Sequence, residues 1–526
     1  MKEATSPGCT VVAIIVVAVL SGAVCVLGAS SYPASGFHQW AQTPLMGWNS
    51  YNNFGSSVTE SEVLANATYM KDKLLAHGWR YVVVDFRWSD PDAAKYDPNG
   101  SGKVAPGLFA ADAFGRLLPA TNRFPSAANG MGFKVMAGAV HGMGLKFGIH
   151  VMRGIPKQSV MSNTPVEGSA FTAADAANTR SSCRWCKDMW GVSDNSAGQA
   201  WYDSIFRLYA EWGVDFVKVD DLSEPYYPAE VEMIRKAIDK CGRPMVFSMS
   251  PGPTPISQAA HVSKHANMWR LSGDFWDNWR QLRQAFDLAT QWETTRGPGY
   301  WPDLDMLQLG RLGTRCVGGA RMTRFTPDEQ RTHMTLWCMA RSPLMIGGDM
   351  TRNDAATEAL LTNDAVLAVN QNSTGNRQLF QRGNQVVWMA DIPGSKDRYM
   401  ALFNLGAASS TNAGGDGLQV SLPEAGFSGP CRVRDLWSGR DLGDHEGTLS
   451  LSVPPHGAGL YRISPVTTAT VSAPVTASDF TGRGPRRSPG SKLYPCLFTL
   501  VSLLAYLVAL GIMHLLVPKL EPMELS

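Results

Sequence analysis

Eight short apolar runs recur between Thr43 and about Asn370, separated by stretches with helical spacing. They are Leu45–Trp48, Tyr81–Asp85, Leu145–Val151, Val214–Asp220, Met245–Ser250, Met268–Leu271, a weak one near Trp301–Leu307, and Pro343–Ile346. Between the first two, Thr59 and Glu62 form a capping-box pattern, and Val63, Ala67, Met70 and Leu74 follow at helical spacing before Gly78. Trp201, Ile205, Leu208 and Trp212 repeat the pattern before Gly213. Strands alternating with helices in this way predict an α/β fold, a (β/α)8 TIM barrel over residues 38–375. A doubly wound open sheet is the alternative, but no glycine-rich phosphate fingerprint follows the first run.

After Gly375 the texture changes. Segments such as QVVWMADI, RYMALFNL, CRVRDLW and TLSLSV alternate polar with apolar residues and are divided by Gly, Pro and Asn. They predict an antiparallel β-sandwich over residues 376–463. Residues 464–492 are rich in Ser, Thr and Pro and read as a stalk. Leu497–Val517 carries no Asp, Glu, Lys or Arg, which fits a transmembrane helix. At the other end, Val11–Gly28 is uncharged, so residues 1–31 read as a signal peptide or signal anchor. These ends predict a membrane-held protein with its body in the lumen, in a lysosome-like compartment or outside the cell. The basic cluster Arg483, Arg486, Arg487 and Lys492 runs against the usual charge rule for that topology, which a long translocated domain can override.

Lys and Arg total 47 against 45 Asp and Glu, a balance that argues against a nucleic-acid partner. Six cysteines lie away from the hydrophobic ends: Cys183, Cys186, Cys241, Cys316, Cys338 and Cys431. Cys183-x-x-Cys186 is half of a zinc pattern with no second half, so a local disulfide or free thiols are expected there. The triplets beginning at Asn66, Asn99 and Asn372 are glycosylation acceptors in a secreted chain.

In a barrel of this kind the chemistry sits at the C-terminal strand ends. Those ends carry Asp85, His150, Lys218, Asp220, Asp221, Ser250, Arg270, Asp274, Asp303 and Asp305. Any one acid could be a helix cap and His150 a core histidine, but a whole set of ionisable strand ends asks for another reason. Two carboxylates from separate strands are what glycoside hydrolysis requires, one ionised to attack and one protonated to release the leaving group. Lys218 points the same way as Asp220 and favours its ionised form. Phe275 and Trp276 follow Asp274 and could desolvate it, and Trp48 and Trp88 could stack on a sugar ring.

TPLMGWNSYNNFG, GLKFGIH, WGVDFVKVDD, NMWRLSGDFWDNW, GPGYWPDLDML, RSPLMIGGDM and LTNDAVLAVNQN occur in order. Together they resemble the α-galactosidase (melibiase) family, glycoside hydrolase family 27. The resemblance implies a retaining hydrolase that needs no cofactor or metal, with Asp220 as nucleophile and Asp274 as general acid/base. It places Trp48, Asp85, Lys218, Arg270 and Asp305 about the sugar, with His150 where the family commonly has Tyr. Asp85-Phe86 stands where two adjacent acids are usual, and Ser250 where a Glu reads the C2 substituent. Leu222 replaces the cysteine after the nucleophile motif, so no disulfide is expected there, and residues 153–199 are longer than in the animal enzymes. The expected partner is an α-galactoside-type carbohydrate, and a homodimer is left open. α-N-Acetylgalactosaminidase and β-L-arabinopyranosidase activities use the same machinery. From another class, a catalytically silent glycan-binding protein would have no need of both Asp220 and Asp274.

Overall fold

A computed structural model of the chain describes residues 36–95, 108–407 and 418–466. All of them fall in one compact unit that ends at Thr467. The expected signal, stalk and membrane span lie outside the described residues, among which no helix is long and apolar enough to cross a membrane.

All eight expected strands form. They are β1 (Met46–Asn49), β2 (Tyr81–Val84), β3 (Lys146–Met152), β4 (Phe216–Asp220), β5 (Val246–Met249), β6 (Met268–Arg270), β7 (Trp301–Asp303) and β8 (Leu344–Ile346). Their order in the sheet is β7-β6-β5-β4-β3-β2-β1-β8, with every neighbouring pair parallel. The open-sheet alternative fails because the edges meet. Leu307, just past β7, bridges Ile346, and its N–H donates to Met345 O at 2.7 Å. Closure leaves no bare sheet edge.

The helix stops work as the sequence predicts. Glu62 accepts the Thr59 N–H at 2.9 Å, and Gly78 leaves the helical region at φ 95°. Gly213 ends helix Ser196–Glu211 in the same left-handed way, at φ 83°. Between β3 and that helix, the long insertion folds as three short antiparallel strands, Ile155–Pro156, Ala177–Asn178 and Met189–Val192.

The C-terminal domain joins a six-stranded antiparallel sheet to a two-stranded one, Leu418–Ser421 with Thr448–Leu451. Two of its strands, Thr374–Arg382 and Asp441–His445, were not among the expected segments, because both are largely polar and exposed. Strand Gln385–Asp391 is apolar on both faces. Val387 and Met389 enter the sandwich core, while Val386, Trp388 and Ala390 join the barrel core. Adjacent side chains project to opposite faces, so one strand serves two hydrophobic layers. Phe403 on the next strand meets Phe286 of helix Trp279–Gln291 edge-on at 4.9 Å.

One further expectation is corrected, and one pair of alternatives is decided. Asn66 is buried, donating to Glu62 O at 3.0 Å and accepting the Met350 N–H at 2.8 Å, so it has no room for a glycan. Asn372 is exposed, and Asn99 lies outside the described residues. Among the described residues the six cysteines are free thiols rather than disulfides. Burial pushes the Cys183 thiol up to about 12, which keeps it neutral.

Trp388 is fully buried, and its indole N–H lacks a partner among the described residues. Trp388→Ala should therefore destabilise the protein by roughly 3–5 kcal/mol, and Trp388→Phe by clearly less, because it keeps ring volume and removes the orphan donor. Equilibrium denaturation of the two variants checks this ranking.

Candidate active site

The nucleophile candidate is the last residue of β4. Strand periodicity sends Lys218 and Asp220 to the same side, towards the barrel mouth. Asp220 Oδ2 lies 3.0 Å from His150 Nε2, and Oδ1 accepts the Asp221 N–H at 2.8 Å. His150 reaches it because β3 and β4 pair in a register that sets His150 beside Lys218 and Met152 beside Asp220. Asp221, held at φ 65°, turns the other way to the buried Arg153, 2.8 Å from Nη2. Arg153 also binds Glu230 at 2.5 Å and donates its backbone N–H to Asp220 O at 2.9 Å. The strand end carrying Asp220 is thus fastened from below by a buried ionic network.

Asp85, one residue past β2, accepts Lys218 Nζ at 2.9 Å and Asn49 Nδ2 at 2.6 Å on one oxygen. Its other oxygen takes the Phe86 N–H at 2.8 Å. Burial works to raise this carboxyl. The charges of Lys218 and His150, with the two N–H donors, overcome burial and hold it well below the usual carboxylate range. Burial likewise opposes the Lys218 charge, but Asp85 and Asp220 outweigh it and raise the ammonium above its ordinary value. Both partners stay ionised at neutral pH.

A second cluster stands on β6 and β7. Arg270 Nη2 lies 2.7 Å from Asp305 and 3.3 Å from Asp274, and it donates to Gly273 O at 2.7 Å. Asp305, at φ 83°, also accepts the Phe275 N–H at 2.8 Å, which pins the loop behind Asp274. Asp303 accepts the Asp305 N–H at 2.9 Å. Its burial, offset only in part by Arg270 and reinforced by Asp305, raises its carboxyl to about 7.

An open pocket of about 460 Å³ lies over these strand ends. Of the expected site residues, Asp85, Lys218, Asp220, Ser250 and Asp274 line it. His150, Arg270 and Asp305 stand behind that lining and hold its members in place. Trp48 is a correction: it is fully buried, donates its indole N–H to Gly348 O at 2.7 Å, and packs on Phe54 in the barrel core. Trp88 is core too, packed against Phe133 and Trp212. Phe275 does not shield Asp274, because its ring turns inward onto Phe325, His333 and Trp337. The Asp274 side chain is 56% exposed.

The pocket also shows what sequence reasoning missed. Tyr51, Arg184, Trp185 and Glu224 line it, and Trp185 is 40% exposed. Trp185 lies between Cys183 and Cys186 of the insertion and meets the Phe86 ring at 5.7 Å. Phe86 itself faces the pocket and is backed by Cys183, Cys186, Tyr51 and Met152. An aromatic surface therefore stands beside Asp85 where a second acid was the family expectation.

A parallel barrel with two carboxylates from separate strand ends has what a glycosidase requires. Comparisons with known proteins agree. Residues 196–372 match the family model described as alpha galactosidase A, and residues 382–463 match the alpha galactosidase C-terminal beta sandwich domain. A family 27 β-L-arabinopyranosidase from Geobacillus stearothermophilus has a solved structure that is 48% identical, with a TM-score of 0.77. That alignment covers 82% of this chain and 98% of the other. An α-galactosidase from Cyamopsis tetragonoloba is 28% identical over 436 residues, covering 81% of this chain and 87% of its own. α-Galactosidase I from Mortierella vinacea shares the fold, with a TM-score of 0.60 and coverage of 82% and 99% of the two chains. The chain belongs to the α-galactosidase family, glycoside hydrolase family 27, and is a glycosidase.

Asp303 gives the site a pH signature. Its folded value of about 7 lies above the ordinary 3.8, so the folded state holds a proton that the unfolded chain releases. This contribution to stability is complete below about pH 4 and is lost as pH rises to about 7. Asp303→Asn removes the titration and keeps the acceptor for the Asp305 N–H. Melting temperatures measured from pH 4 to 8 should show the variant gaining on the parent as pH rises, then levelling off above 7.

Proposed function

We propose that this enzyme releases terminal α-D-galactosyl residues from glycoconjugates or oligosaccharides by double displacement. Asp220 attacks the anomeric carbon, and Asp274 gives its proton to the leaving oxygen and then takes one from water. The observation that carries this reading is the pairing of these two carboxylates across one pocket. They come from different strand ends and line that pocket together with the Lys218–Asp85 pair. His150 orients the attacking oxygen through its bond to Asp220. Asp274 is half exposed before substrate arrives, and a seated pyranose would cover it.

Phe86 favours a second reading within the same chemistry. β-L-Arabinopyranose has the galactose ring configuration without C6. A phenyl face offers no hydrogen bond to a C6 hydroxyl but packs well against a bare ring edge. The 48% identical relative named for that sugar points the same way. We further propose that residues 497–517 hold the enzyme in a membrane with its catalytic body lumenal or extracellular.

With the full-length protein, Asp220→Asn should lower kcat on the nitrophenyl α-galactoside by roughly a thousandfold or more. The first sugar released, followed by NMR, should keep its anomeric configuration; an inverted product would remove Asp220 from its role. Phe86→Asp should raise the ratio of kcat/KM for α-galactoside over β-L-arabinopyranoside about tenfold or more, through one new hydrogen bond. A parent enzyme that prefers the arabinopyranoside would make the second reading the first. Preference for the N-acetylgalactosaminide would shift attention to Ser250, and no turnover of any sugar would return the binding-protein alternative. Membrane partitioning should be lost on truncation after residue 490, and a truncated chain that still sediments with membranes would end the tether proposal.

A further inference from the structure

Away from the pocket, Glu232 of helix Pro228–Lys240, His261 of helix Ala259–Val262 and His265 of the turn that follows it converge. One carboxylate oxygen and one nitrogen of each ring all lie within 4.8 Å of one another. We propose that these three side chains form a divalent-metal site of the zinc class.

The donor set is two imidazoles and one carboxylate, which leaves a fourth position for water. The separation of Glu232 Oε1 and His261 Nε2 fits the purpose. At 3.3 Å it is long for a charge-assisted hydrogen bond. It is close to the edge of a tetrahedron with metal bonds of about 2.1 Å, which is roughly 3.4 Å. His265 is the ligand that must close in, and its place at the end of a short turn lets it do so.

The surroundings of both rings support the same assignment. His261 Nδ1 lies 2.7 Å from the Tyr226 hydroxyl. His265 Nδ1 lies 2.8 Å from the backbone carbonyl of His261, which can only accept, so this nitrogen carries the proton and Nε2 keeps its lone pair. The Tyr226 hydroxyl can donate to His261 or accept from it, so it serves the ring with metal absent or bound. Metal-binding histidines are commonly fixed in this way by an oxygen on their second nitrogen. Lys236 Nζ competes only weakly, at 3.7 Å from the other Glu232 oxygen.

The site bears on the pocket through one residue. Tyr226 belongs to the tight turn after β4, where it pairs with Ser223, and Glu224 of that turn lines the pocket. A metal on His261 would therefore brace the turn that delivers Glu224 to the pocket wall. The proposal stands whichever sugar the enzyme prefers.

The test uses full-length protein in mild detergent, stripped by a chelator, and Zn2+ alone as titrant. Calorimetry should give about one bound Zn2+ per chain, weakened at least tenfold by His261→Gln or His265→Gln. Tyr226→Phe should cost about tenfold, the effect expected of a partner to a ligand. Far-UV circular dichroism checks that each variant is folded. If a variant unfolds, Co2+ added to the parent protein decides instead, by the intense visible d–d bands of a four- or five-coordinate site. Absence of Zn2+ binding, binding undiminished in the folded double histidine variant, or only weak octahedral Co2+ bands would overturn the proposal.

Discussion

The ion pair between Lys218 and Asp85, buried at the mouth of the barrel, is the constraint around which the site is arranged. An ammonium and a carboxylate removed from water are tolerable only together, and losing one partner of such a pair costs about 3–5 kcal/mol. The pair ties β2 to β4 across β3, which lies between them. It also places positive charge close to Asp220 without using up that carboxylate's own oxygens, which His150 and the Asp221 N–H engage. A fixed charge in a partly dry pocket acts more strongly than one in solvent, so the mouth is electrostatically set before any sugar enters.

The opposite wall follows a different logic. Arg270 is shared among Asp274, Asp305 and nearby backbone carbonyls, with Asp303 close enough to feel its charge. One guanidinium facing three acids cannot hold all of them equally ionised. Asp303, buried beside Asp305, keeps its proton to about pH 7. Two walls with different charge states, one from β2 and β4 and one from β6 and β7, suit a reaction that needs an attacking anion and a proton donor.

Much of this was legible in the sequence, for identifiable reasons. Fully apolar strands announce themselves, and all eight appeared close to their expected bounds, including the weak one near Trp301. The polar residues that end them could be read as a set because a parallel barrel brings its strand ends to one face. The tryptophans could not be sorted in the same way. Trp48 and Trp88 turned into the core, whereas Trp185 faces the pocket; composition does not distinguish an aromatic ring that packs from one that waits for a sugar. Arg153 was illegible because its partners, Asp221 and Glu230, are distant in sequence and meet only when the barrel closes. Asn66 shows the opposite failure, where an acceptor triplet proves to be a buried bridge to Met350.

The double-sided strand Gln385–Asp391 has a consequence for modularity. The sandwich looks like an appended module along the chain, yet the strand's barrel-facing row belongs to the same hydrophobic cluster as the barrel's own helices. Cutting the chain before that strand would strip a packed wall from the barrel and expose greasy surface to solvent. The boundary drawn from sequence texture is therefore no place for an evolutionary shuffle or a laboratory splice. The two domains share one hydrophobic core and must be expressed together as one folding unit.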